Sequence, residues 1–309
     1  MATITYSALE GANLRLAAML ENEIRALIHD SASIRNSGAL LFAGDVQNVG
    51  SDALTIRYAG LDGYDGMASV ADGSEITNTS LTTATATITV GRIGLRYDLT
   101  DLASLSKLGG GSDVDVFRLA ESMSGAFERK FMELVCATFA SISTSVGTSG
   151  VDMSVDDFLD AIYALEIANN PSDLFAVLHP RQVADLVSSI RNESANSIAF
   201  NPATHDMIQS HGTGLVGDFL GVQVHKSSYC ALNGANREGA MFSRGAIGYA
   251  LGTPLPLAAP SGEIRPAGTP ILVELERDSA FSLTKIVGSA YCGAALCEDA
   301  RAVLISTDA

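Results

Sequence analysis

The sequence predicts an α+β fold, and three stretches carry that prediction. Gly109 to Ala140 reads as one long helix with a single apolar stripe. The segment before it, residues 39 to 98, alternates as an extended β-hairpin. The segment after it passes through helix–strand alternation into a β-rich tail. No internal repeat divides the 309 residues, a length that suits about two domains at ~150 residues each.

Composition bounds the function. With 47% hydrophobic and 17% charged residues, the chain can bury a sizeable core. The net charge is −16, and only Lys107, Lys130, Lys226 and Lys285 are lysines. That balance argues against a tight nucleic-acid binder, which needs basic surface against phosphates, and against an anionic membrane as partner. No apolar run reaches the ~18 residues of a membrane span, and the N-terminus lacks a basic segment followed by an apolar one. Cys136, Cys230, Cys292 and Cys297 show no CxxC spacing, which favours reduced thiols in a cytosolic compartment.

Taken in order, the first residues look like an arm. Leu16, Leu20, Ile24 and Leu27 recur at helical spacing, with Arg15, Glu21, Glu23 and Arg25 between them. Two readings stand for this arm: a helix packed on its own domain, or one crossing onto a neighbour. Ala53 to Ala59 then alternates as a strand, and a Gly- and Asp-rich tip runs from Gly60 to Glu75. The return strand is expected from Ser80 to Asp98, where Thr85, Thr87 and Thr89 alternate with Ala86, Ile88 and Val90. Asp45, Asp52, Asp62, Asp65, Asp72 and Glu75 face one base, Arg57, in this segment. A two-stranded hairpin is marginal in water, so this one must rest on something, its own domain or another subunit.

The long helix comes next. Ser112 is placed to cap it, and Asp113 and Asp115 suit the positive end of its dipole. Val116, Leu119, Met123, Ala126, Phe127, Leu134 and Val135 form the stripe. At 1.5 Å per residue the element is roughly 40 Å long, the span of a beam rather than a catalytic scaffold.

After a Ser/Thr/Gly linker, Ser154 with Asp157 matches a capping box before Phe158, Ile162 and Leu165. That helix ends at Asn169-Asn170-Pro171. Asp173 to Leu178 reads as a buried strand, and Pro180 opens a helix through Arg191. A polar stretch fills Asn192 to Gly214. Short strands are expected at Gly221 to His225 and Gly239 to Phe242, and a small helix over Arg244 to Leu251. A Pro-rich crossover follows at 253 to 260. The tail then holds three strand-like runs: ILVELER, FSLTKIVGSAYCGAALC and ARAVLIS.

No constellation of residues asks to be an active site. Gly212, Gly214 and Gly217 spell GxGxxG, but they follow a polar loop and precede a strand, the reverse of a dinucleotide loop. Gly109 to Gly111 precede the long helix, but Asp113 and Asp115 would repel a phosphate there. His29, His179, His205, His211 and His225 form no HExxH or HxH pair, and there is no GxSxG elbow. His205-Asp206 with His211 is the nearest thing to a metal site, and Cys136 or Cys230 the nearest to a nucleophile. The cysteines mostly sit in apolar stretches, as small buried hydrophobes do. The expectation is therefore no enzyme, no cofactor and no metal.

The order of parts resembles the major capsid proteins of tailed bacteriophages, the HK97-fold family. FLGVQVHKSS (Phe219 to Ser228), GAMFSRGAIGYALG (Gly239 to Gly252) and ERDSAFSLTKIVGSAYCGAALCEDARAVLIST (Glu276 to Thr307) are the most similar local text. The resemblance implies an N-terminal arm at 1–41 and an E-loop hairpin at 42–98. It implies a first P-domain part at 99–150 with a spine helix at 112–140, an A-domain at 151–255, and P-domain return strands at 256–309. It further implies a subunit that self-assembles as pentamers and hexamers into an icosahedral shell. That shell would enclose double-stranded DNA without reading its sequence, in the virion after assembly in the host cytoplasm. A portal protein and decoration proteins are the implied partners. A chain starting at Met without a long helical extension favours a separate scaffolding protein over a removed one.

Inter-subunit contacts are then expected between the acidic tip and the bases along the spine. The tip residues are Asp62, Tyr64, Asp65, Asp72 and Glu75; the bases are Arg92, Arg96, Arg118, Arg129 and Lys130. One departure stands out: the hairpin from 45 to 91 has no Lys, so lysine–asparagine cross-linking through it is unavailable. Two alternatives remain beside the viral shell. One is an encapsulin-like nanocompartment, and the other a soluble α/β enzyme with an unrecognised site.

Overall fold

The computed structural model describes residues 33–46, 51–59, 69–76, 83–100, 112–168, 173–192, 200–202, 215–252 and 271–308. Two sheets and one long helix organise them. A short helix α1 (Ser33–Asn36) leads into strand β1 (Leu41–Asp45). The hairpin is β2 (Ala53–Ala59) against β3 (Thr83–Thr89), antiparallel from Ala53↔Thr89 to Ala59↔Thr83. Leu54 and Ile56 share one face with Ile88 and Ala86, while Thr55 and Arg57 share the other with Thr87 and Thr85. The threonine–apolar alternation is therefore the inside–outside pattern of this ribbon.

The expected single return strand from Ser80 to Asp98 divides at Val90. β3 stays in the hairpin, and β4 (Gly91–Thr100) leaves it to pair with β14 (Leu283–Leu296). The division has a physical cause. Val90 donates its N–H to Asp52 O, closing the ribbon, and the next residue is Gly91. From there β14 offers a longer ladder, Gly91↔Cys292 to Thr100↔Leu283.

β14 is the axis of the first sheet. On one edge it carries all of β4. On the other it carries β13 (Ile271–Asp278) along its first half and β12 (Ile247–Gly252) along its second. β1 completes this sheet by pairing in parallel with β12. The helix expected over Arg244 to Leu251 is thus a strand. Ile247, Tyr249 and Leu251 alternate with Gly248, Ala250 and Gly252, a period of two. Ladders on both sides supply pairing that local propensity does not reveal.

The long helix α2 (Ser112–Ala137) lies across this sheet, and its 26 residues continue into a 3₁₀ turn, Thr138–Ser141. Ala120, Met123 and Phe127 pack on Val273, Ile286 and Ala290, flanked by Ile93, Leu95 and Tyr97. Tyr97 Oη and Ser122 Oγ meet at 2.6 Å. The helix therefore rests one face on its own sheet.

The second sheet runs β5 (Ser145–Val146), β15 (Ala302–Asp308), β11 (Asn236–Ser243), β6 (Leu174–Leu178), β9 (Val222–Lys226), β8 (Leu215–Phe219) and β7 (Phe200–Pro202). β10 (Leu232–Asn233) joins off the edge of β11. β8 went unread in the sequence. It pairs with β9 through a two-residue turn whose Leu220 and Gly221 have φ of 51° and 82°. Positive φ at both positions is the signature of the hairpin turn whose twist matches the strands. The segment expected as return strands, 256–309, is shared between the sheets, because β15 lies beside β11. Conversely β12, inside the segment expected as A-domain, belongs to the first sheet.

Both faces of the second sheet are covered. Helices α3 (Val155–Ile167) and α4 (Pro180–Asn192) cover one, with Phe158, Ala161, Leu165 and Leu186 on Ala176, Leu178, Met241, Val303 and Ile305. α3 starts with the expected capping box: Ser154 Oγ accepts from Asp157 N–H, and the Asp157 carboxylate accepts from Ser154 N–H. The opposite face, Phe175, Val177, Ala240, Phe242 and Ala302, packs on Val135 and Cys136 at the end of α2, on Phe139 of the 3₁₀ turn that follows, and on Ile247 and Cys292 of the first sheet. Burial on both faces explains why β6 reads as a continuous apolar run.

Candidate assembly surfaces

The hairpin has an anchored base and an exposed segment at 69–76. At the base, Ile88 is fully buried and Ala86 nearly so. Glycines let the ribbon approach the first sheet. A Cβ on Gly293 would sit 2.1 Å from Thr89 O, and one on Gly248 would sit 2.7 Å from Cys297 Sγ and 3.0 Å from Ile88 Cδ1. The ribbon therefore does rest on its own chain, through this apolar face. The tip differs. Residues 69–76 are exposed throughout, with Val70 at 42% and Ile76 at 78%. Asp72 and Glu75 lie among them; Gly73 has φ 82°, and Ser74 N–H donates to Ala71 O across a turn. Among the described residues neither carboxylate has an ion-pair partner, and exposed apolar residues beside such acids suit a docking surface. Asp62, Tyr64 and Asp65 lie outside the described residues.

The bases divide into three placements. A groove of about 400 Å³ runs between α2 and the first sheet, with Ile93, Leu95, Met123, Phe127 and Ala290 in its walls and Arg92 and Lys130 beside them. A second, more polar groove of about 560 Å³ follows the outer face of α2, where Arg118, Ser122, Gly125 and Arg129 recur at helical spacing with Lys130 and Tyr229 alongside. Lys130 Nζ reaches Glu133 at 2.7 Å on an exposed surface. Arg96 stands apart. Its neighbours Leu95 and Tyr97 pack on α2, so Arg96 points to the far face of the sheet. There it makes a bidentate pair with Asp98 at 2.7 and 2.6 Å. That hydrogen-bonded pairing holds the Asp98 carboxyl below its usual range. Lys285 sits on the same face, 2.8 Å from Asp278 and 3.9 Å from Glu276.

Two polar ties were invisible in the sequence. Arg35 Nη2 contacts Glu128 Oε1 at 2.8 Å, with side chains only 14% and 11% exposed. The guanidinium also lies over Phe127 and Phe131, 5.9 and 5.7 Å from the ring centroids. This joins the segment leading out of the arm to the spine. Burial pushes the Glu128 carboxyl up to about 7, against the opposing pull of Arg35. The second tie is Gln182, fully buried at the start of α4. Its Nε2 donates to Arg237 O, Ile305 O and Thr307 Oγ1, and its Oε1 accepts from His179 N–H. One amide thus stitches a helix to two strands.

For chemistry there is little. Among the described residues no group of three or more His, Cys, Asp or Glu is placed to hold a metal, and no helix is long and apolar enough to cross a membrane. His179 Nδ1 accepts from Arg181 N–H, and burial lowers its pKa. His225 is buried inside the second sheet. His29, His205 and His211 lie outside the described residues.

No protein-family model and no curated protein matches the chain. Solved structures do, over most of its length. The capsid of Ralstonia phage GP4 is similar with a TM-score of 0.59 at 11% identity, covering 91% of this chain and 92% of that one. A structure from Mycobacterium phage Che8 gives 0.57 at 12% identity, covering 87% and 90%. The holo-SrpI encapsulin complex of Synechococcus elongatus gives 0.57 at 14% identity, covering 87% and 86%. The likeness establishes the architecture: an α+β chain with the HK97-like fold.

Proposed function

We propose that this chain is the structural major capsid protein of a tailed bacteriophage. It self-assembles through pentamers and hexamers into an icosahedral shell around double-stranded DNA, and it is not an enzyme. One observation carries the reading: a single copy presents two complementary surfaces at separate places. The tip offers Asp72 and Glu75 flanked by Val70 and Ile76. The spine offers an apolar-walled groove beside Arg92 and Lys130, with Arg118 and Arg129 on the outer face. Complementary patches on one chain make a head-to-tail contact, which closes into a ring when the rotation permits. Arg96, held by Asp98, takes a lesser part, while Asp62, Tyr64 and Asp65 extend the acidic tip. A net charge of −16 suits a container that holds DNA without gripping it.

On this reading the partners are copies of itself, a separate scaffolding protein, a portal protein and decoration proteins. The location is the virion, reached by assembly in the host cytoplasm. The domain plan follows the resemblance: arm 1–41, E-loop 42–98, P-domain 99–150 and 256–309, and A-domain 151–255. Expression followed by sizing and electron microscopy tests the reading. Megadalton icosahedral particles are expected, alone or with the scaffolding protein. A stable monomer under both conditions overturns it. The likeness to the encapsulin complex supports a second reading, a nanocompartment. Scaffold-free assembly around one specific enzyme is the result that selects it.

A further inference from the structure

We propose that the outer face of α3 is a docking surface for a basic amphipathic helix of a partner protein. α3 is apolar on two faces. Phe158, Ala161 and Leu165 bury one of them against the second sheet. Leu159, Tyr163 and Ile167 stand on the other, 43%, 63% and 62% exposed. Their spacing of four residues makes one ridge, roughly 12 Å long at 1.5 Å per residue. The helix does not need this ridge to form: the capping box fixes its start, and the inner face supplies its packing. Three large apolar side chains in line, open to water and adding nothing to the core, mark a surface that another molecule covers.

Acids frame the ridge. Asp160 lies three residues before Tyr163 and Glu166 three after it, which puts them on its two flanks, and Asp156 stands three residues before Leu159 at the N-terminal end. All three are exposed, and among the described residues none has an ion-pair partner. α3 itself contains no base. Charge then chooses the occupant. A second copy joined through the same face would set these acids against themselves. The chain before α1 has apolar residues at helical spacing, but Glu10, Glu21, Glu23 and Asp30 outnumber Arg15 and Arg25 there. The outer groove of α2 has bases, yet Glu121, Ser122, Gly125 and Glu133 give it no apolar line to match. The apolar groove beside Arg92 and Lys130 is the seat of the tip in the assembly proposed above, and on that point alone the inference rests on that reading. What fits is a helix of another protein, with apolar residues every three or four positions and Lys or Arg on both sides.

The test uses the full chain as unassembled subunit, so its result is read apart from particle formation. The probe is a labelled synthetic helix of about 16 residues with a leucine ridge and Lys and Arg flanks, followed by fluorescence anisotropy. Two peptides serve for comparison: the same ridge with Glu flanks, and the same basic composition with the leucines scattered. The basic ridge peptide should bind saturably and the other two roughly tenfold more weakly. Tyr163→Gln with Ile167→Gln, at exposed positions where Gln suits a helix, should weaken it about tenfold with an unchanged urea midpoint. Asp160→Lys with Glu166→Lys should reverse the preference toward the Glu-flanked peptide. Equal binding of the three peptides, binding of none, affinity that the glutamine variant retains, or a preference that the lysine variant keeps overturns the proposal. So does association between copies that the glutamine variant abolishes, which makes a second copy the occupant.

Discussion

Removing the positive charge that faces Glu128 should destabilise the subunit more at pH 8 than at pH 5, by about 1 kcal/mol. Arg35→Met keeps an apolar stem over Phe127 and Phe131 but leaves the Glu128 carboxylate buried without its partner. In the wild type, burial raises the carboxyl from 4.5 to about 7. The folded protein therefore keeps a proton that the unfolded chain has lost between those values. The sign follows: this contribution is full below pH 4.5, declines as pH rises through 7 and is flat above. At 1.36 kcal/mol per unit, the span corresponds to about 3 kcal/mol. Without Arg35 the folded carboxyl moves higher still, because the guanidinium is what pulls it down. At pH 5 the acid is protonated in both proteins and the variant loses only a hydrogen bond and a cation–π contact, about 1–2 kcal/mol; at pH 8 it must also hold a proton that the wild type has released above 7, which adds up to about 1.4 kcal/mol. Urea denaturation of the unassembled subunit from pH 5 to pH 8 measures both. Glu128→Gln is the control that should remove the slope. Tyr249 and Cys292 are the nearby titrating groups, and both are shifted upward, Cys292 to about 11, out of the window. An Arg35→Met penalty equal at pH 5 and pH 8, or a slope that survives Glu128→Gln, refutes the reasoning.

Three other outcomes follow from the same geometry. Deleting residues 61 to 74 should leave a folded subunit, since the ribbon base holds Ile88 in the core, yet block assembly; particles of normal size by light scattering would sink the interlock. Gly293→Val places side-chain atoms where Thr89 O already lies, 2.1 Å from the Cβ position, and should cost more than ~2 kcal/mol in denaturant midpoint or free the hairpin to protease. Gln182→Met keeps the volume but orphans a buried backbone N–H at His179 and acceptors on two strands, a loss of about 1–3 kcal/mol by thermal unfolding; an unchanged melting temperature contradicts the stitch.

What could be read from the sequence was decided by near neighbours. Ser154 and Asp157 are three residues apart and cap each other, Pro180 opens α4, and the threonine alternation of β3 is the pattern of one ribbon. What escaped was decided at long range. β12 looked helical because its ladders lie with β1 and β14, far along the chain. The break at Val90 depends on β14 offering a better edge. Arg35 and Glu128 are 93 positions apart, and Gln182 finds partners 55 to 125 positions away. The opposed surfaces were half legible. The acids and bases were visible, but not that Arg96 turns to the far face, nor that Val70 and Ile76 stand in the open.

The place of β15 carries a consequence for timing. The second sheet needs Ala302–Asp308 between β5 and β11, so its interior stays open until that strand has been made and has left the ribosome. A chain still lacking β15 would show apolar strands whose core is not yet closed. The order of synthesis then delays closure of the core between the sheets to the last strand of the fold.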